Sequence, residues 1–227
     1  MLSKKLIASG IALIGLSSAL AYTNNVQAAS LRQINQAPVK RGVALWSIKQ
    51  PGFASNGNAK FNKNLAHGVV TLDNLRKNTS TLEFFKQNKH IFLKDVHKNP
   101  STKNWTKVNN SSKLLKPYTQ VRVIQNLFLN KHLKHKVITT KLGRQYVISS
   151  KKASQILTKK MHAKYSKNCV IKNARVTEFV NKQGKLKTIT LSAHVRENKQ
   201  NTKVNLKFTK LNQKMHNKLP QFVQDAK

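Results

Sequence analysis

The chain contains six carboxylates in all: Asp73, Glu83, Asp95, Glu178, Glu197 and Asp225. Glycoside hydrolysis needs two of them to converge on one bond, and no motif joins any pair. Glu83 has the position of a helix cap, while Glu178 and Glu197 fall in or beside strand-like runs. Cys169 is the only cysteine, and His162 and His194 are the histidines on offer as its base. Its surroundings, Cys169-Val170-Ile171, carry no flanks of a thiol-enzyme motif, which favours a small packed side chain. In His132-Leu133-Lys134-His135 two imidazoles stand three apart, the spacing of a metal pair on a helix. Lys131, Lys134 and Lys136 crowd the same stretch and would repel a dication, so these histidines read as extra positive charge in acid. No serine-hydrolase elbow, phosphate loop, zinc motif or dinucleotide fingerprint occurs. The expectation is a chain without metal, cofactor or catalysis, with a wall-acting enzyme as the alternative.

Set against those six acids are 43 Lys and Arg, a formal net charge of +37 on 227 residues. A folded domain with so much charge of one sign repels itself, and a dense anionic surface relieves the repulsion. The expected ligand is a polyanion bearing closely spaced phosphates, carboxylates or sulfates. Protonation of His132 and His135 would strengthen such binding as pH falls from about 7 to about 4.

The first residues indicate which polyanion. Lys4 and Lys5 precede an apolar run, Leu6 to Ala21, that is short for a membrane span and rich in small residues. This reads as a secretory signal peptide over residues 1–28. Cleavage after Ala28 fits better than the alternative after Ala21. The run is not followed by a lipoprotein cysteine, Leu219-Pro220-Gln221-Phe222 lacks the rest of a sorting signal, and no second stretch is apolar enough for a transmembrane anchor. A lone cysteine in an exported chain also suits a Gram-positive wall. The reading is therefore a secreted protein retained noncovalently at the cell wall. Binding of extracellular nucleic acid is the alternative, because the same charge would serve it.

Residues 30–112 read as an irregular α+β region. Ser80-Thr81-Leu82-Glu83 has capping-box spacing and predicts a helix from Ser80 to Lys89, Asp73 suggests another helical turn, and Asn104 to Val108 a strand. A polar break, Asn109 to Ser112, marks a boundary. Residues 113–227 read as a basic β-rich region, divisible into modules 113–163 and 164–210 plus a tail that could close as a helix near Pro220. Strands are expected at 121–124, 136–140 and 145–148, with a helix carrying Ala153, Ile156, Leu157 and Met161 behind the caps Ser149 and Ser150. Alternation from Val170 to Val180, Ile189 to Val195 and Val204 to Phe208 gives a β-meander. Tyr118 to Ile124 also echoes Tyr165 to Ile171, a sign either of tandem modules or of chance likeness. The fold class is α+β and β-rich, with small antiparallel sheets and a few short helices.

The run Leu115-Lys116-Pro117-Tyr118-Thr119-Gln120-Val121-Arg122-Val123, followed by Gly143 to Ile148 and Lys151-Lys152-Ala153, resembles the SLAP-type surface-layer attachment modules of lactobacilli over about forty residues. The resemblance implies noncovalent binding to teichoic acids or related anionic wall polymers, and company with other surface-layer proteins. The candidate ligand residues are Arg122, Lys131, His132, Lys134, His135, Lys136, Arg144, Lys151 and Lys152 for the anionic groups. Tyr118 and Tyr146 would offer rings to the polymer backbone.

Overall fold

A computed structural model describes residues 29–74, 79–87, 90–96, 105–108, 117–162, 168–197 and 200–214. The expected signal segment, the 109–112 break and the tail beyond 214 lie outside them. Helix α1 (Ala29–Gln36) is followed by β1 (Arg41–Gln50), β2 (Phe53–Asn62), β3 (Leu65–Asn74), β4 (Ser80–Gln87), β5 (His90–Asp95) and β6 (Thr106–Val108). Then come α2 (Pro117–Phe128), β7 (Lys136–Thr140), β8 (Gly143–Ser149), α3 (Lys151–His162), β9 (Val170–Asn181), β10 (Leu186–Glu197) and β11 (Gln200–Thr209).

All eleven strands form one antiparallel sheet in the order β6-β5-β4-β3-β2-β1-β11-β10-β9-β8-β7. The strands run outward from β1 to β6 on one side and inward from β7 to β11 on the other, so the first and last meet in the middle. The small sheets expected from sequence are thus one continuous sheet, and residues 41–95 within the supposedly irregular region form five regularly paired strands.

Alternation makes the strands. In β1, Ala44, Trp46 and Ile48 point to the core while Leu45, Ser47 and Lys49 point away. The same inner parity in the other strands joins one large core with Leu31 of α1, Val121, Ile124 and Leu127 of α2, and Ala153 and Leu157 of α3. All three helices thus pack on the inner face. Trp46 reaches across bare backbone at Gly57, where a Cβ would stand 2.3 Å from the indole. On the outer face, Leu65, Phe85, Phe92 and Trp105 make a separate small cluster at the β3–β5 end.

Three predicted elements change type. The expected helix at Ser80 to Lys89 is strand β4: ladder partners from β3 and β5 flank it, and Glu83 hydrogen-bonds His67 across the sheet instead of capping a helix. Asp73, read as a helical turn, likewise lies in β3. The expected strand at Val121 to Ile124 is part of α2. That helix opens on Pro117, whose missing N–H is no loss in a first turn. Gln120, Val121, Val123, Ile124, Gln125, Leu127 and Phe128 are all buried, so no polar stripe betrays its period. The echo between Tyr118–Ile124 and Tyr165–Ile171 is therefore not structural, since one copy is helical where Val170 and Ile171 of the other are strand.

Strands β6 to β11 otherwise follow expectation, including the meander and its Asn181–Gly184 turn, where Gly184 has φ of 72°, except that a bulge at Asn173 flips the parity at the start of β9, so that Val170, expected on the apolar face, is exposed and Ile171 is buried. Helix α3 starts as predicted, with Ser150 Oγ accepting from Ala153 N at 3.1 Å.

One acid lies inside. Glu178 of β9 is completely buried, and Asn35 Nδ2 of α1 donates to its Oε2 at 2.8 Å. Burial pushes its carboxyl up to about 8, with the Asn35 hydrogen bond pulling the other way.

Candidate polyanion-binding surface

Cross-strand register, not sequence proximity, assembles the site. On the outer face, Lys172 of β9 faces His194 of β10, His194 faces Lys203 of β11, and Lys203 faces Lys49 of β1. Four basic side chains thus stand in a row across four neighbouring strands, spaced about 4.8 Å apart along the hydrogen-bonding direction. All four are exposed, and none has a side-chain hydrogen bond or ion pair among the described residues. Lys203 and Lys49 are like charges placed directly opposite each other, which destabilises a sheet by up to about 1 kcal/mol. Nothing within the described fold compensates for this arrangement.

The neighbouring rows are mixed. Arg175, Ser192, Asn205, Ser47 and Asn56 form the next row, followed by Thr190, Lys207 and the exposed Leu45. Acids are few around it. Asp73, Glu83 and Asp95 belong to β3–β5, Glu178 is inside, and Glu197 ends β10 on the opposite strand parity from His194. Glu83 is engaged by His67 Nε2 at 2.8 Å, and that imidazole stacks on Phe85 with ring centroids 3.9 Å apart. Glu83 and Asp95 have opposite parity, because Asp95 pairs with Leu82.

The predicted ligand residues are scattered. Lys131 and His132 are exposed in the turn after α2, followed by exposed Lys134 and half-buried His135, whose ring meets the edge of Tyr146 at 5.7 Å. Lys136 and Arg144 are exposed on opposite faces of the β7–β8 hairpin, since Lys136 pairs with Val147 while Arg144 pairs with Thr139. Lys151 and Lys152 are exposed in the first turn of α3. Arg122 is half-buried, its Nη1 donating to Gln125 Oε1 at 3.3 Å. Tyr146 is 6% exposed and belongs to the core, so its ring is not presented to a ligand. The side chain of Tyr118 lies outside the described set.

Sequence reasoning missed Lys49, Lys172, His194 and Lys203. The polar parity of the meander pointed to three of them, but the β1–β11 pairing that adds Lys49 has no local signal. Cys169 is buried, and burial together with the nearby charge of Glu197 pushes its thiol up to about 11. No protein-family model matches the chain, and no curated protein matches it.

Proposed function

We propose that this is an exported, cell-surface protein held noncovalently on anionic wall polymers of the teichoic-acid type, in the company of a surface layer. The observation that carries the reading is the row Lys172, His194, Lys203 and Lys49, four adjacent basic groups that no described acid neutralises. Such an array repels itself when empty and is relieved by a chain of phosphates, so binding and stability draw on the same charges. The resemblance of the 115–153 stretch to surface-layer attachment modules and the signal-like start agree with it.

Purified Gram-positive walls, with and without their teichoic acids, provide the test. The chain should sediment with intact walls, elute as salt rises, and fail to sediment once the teichoic acid is stripped. Lys203→Glu should elute at lower salt while the fold becomes slightly more stable, by up to about 1 kcal/mol, because it places an anion between His194 and Lys49. Undiminished binding to stripped walls would overturn the reading, as would tighter competition by DNA than by wall polymer.

A further inference from the structure

The extended half of β9 runs past the end of β8, whose pairing stops at Ser149 and Arg175. Beyond that point α3 replaces the missing strand. Thr158 Oγ1 accepts from Ile171 N at 2.9 Å, and Ser154 Oγ accepts from Ala174 N at 3.0 Å. Helix and strand are thus fixed side by side by two hydroxyls, and a groove of about 1110 Å³ lies between them.

Its lining is chemically one-sided. Lys151, Lys159 and Lys172 contribute three ammonium groups, and Ser150, Gln155 and Asn173 contribute hydroxyl and amide groups, with no carboxylate in the lining. None of the three lysines has a side-chain hydrogen bond or ion pair among the described residues. Asn173 sits in a β-bulge with φ of 52°, the extra residue falling where the pairing steps from Ser192 to His194. Bulges of this kind recur beside binding sites because they re-aim a side chain. Here the bulge also leaves Lys172 on the groove and in the cation row at once. The volume lies just above the usual range for small-molecule sites and exceeds what a lone phosphate needs.

We propose that the groove between α3 and β9 is a discrete binding site for a phosphorylated polyol or sugar. Its phosphate would be held among Lys151, Lys159 and Lys172 and its hydroxyls by Ser150, Gln155 and Asn173. The site goes beyond retention by charge, because it binds one ligand in one place and does not depend on which polymer the open face meets.

Titration of the chain with glycerol phosphate at about 0.15 M salt, followed by amide NMR and calorimetry, tests it. One equivalent should bind saturably, with shifts confined to the segments around 150–159 and 170–174. Free glycerol should not bind, and inorganic phosphate should bind more weakly. The double variant Lys151→Ala/Lys159→Ala, at exposed positions outside the core, should lose about tenfold or more in affinity. Shifts spread over the open face, or an unchanged double variant, would overturn the site, and equal affinity for inorganic phosphate would overturn its polyol specificity. Lys203→Glu should keep glycerol phosphate binding while eluting from walls at lower salt, and the single variant Lys159→Ala should weaken glycerol phosphate binding while leaving wall elution unchanged, so failure of either proposal is read separately.

Discussion

Glu178 and Asn35 put a carboxylic acid and a carboxamide face to face in the core. Asn35 Nδ2 donates to one carboxyl oxygen, while Glu178 Oε1 and Asn35 Oδ1 have no partner as two bare acceptors. A proton on Oε1 turns one of those acceptors into a donor, which is the form burial favours. The folded chain therefore holds this proton more tightly than the unfolded chain does. Its stabilisation is complete below the ordinary carboxylate range and is lost as pH rises toward about 8. Thermal melts should show a midpoint that falls between about pH 5 and 8, and Glu178→Gln, which is neutral throughout, should flatten the fall. The difference between the two curves should amount to a few kcal/mol. Parallel curves would show that Glu178 does not titrate in this window.

At the scale of elements, α3 depends on being tied to β9 as well as on its apolar stripe. Ser154→Ala or Thr158→Ala would leave the amide of Ala174 or Ile171 without its acceptor at a covered edge, a loss of about 1–3 kcal/mol each. Denaturant midpoints should fall accordingly, and hydrogen exchange should speed up at those two amides first. Unchanged exchange at both would mean that the strand edge does not need the helix. These elements also mark where sequence reading succeeds and fails. The stripe Ala153, Ile156 and Leu157 and the β9–β11 alternation were legible because one side of each element meets water. The α2 helix was not, because its β-branched run is buried nearly all round, and only the surrounding core makes it helical. At β4, a correctly spaced Ser80 and Glu83 misled because strands on both sides compete for the backbone more strongly than a cap can. The basic row needed the register of β1 against β11, which no local pattern carries.

The whole molecule has 43 basic side chains and six acidic ones, and three of those acids belong to the β3–β5 end of the sheet. Glu178 and Glu197 lie in β9 and β10, so in the β9–β1 half self-repulsion centres on the outer-face basic row, which carries no acid of its own. Raising sodium chloride from a few millimolar to physiological strength should lift the melting midpoint by about 2–4 °C for each kcal/mol of repulsion screened. Short polyphosphate should do the same at far lower concentration. A midpoint indifferent to both would mean that the charges are already far enough apart. The central seam has a further consequence. Thr202 Oγ1 donates to Gln50 Oε1 across 152 positions of sequence, and Asn212, just past β11, accepts from Lys40 N at 2.6 Å at the entrance to β1. A polypeptide emerging from its N-terminus can build β1 to β6 early, yet the free edge of β1 waits for β11, which is made long afterwards. Assembly is thus gated by that one strand: until β11 arrives the two halves share no ladder, and closing the seam means closing the longest loop in the sheet.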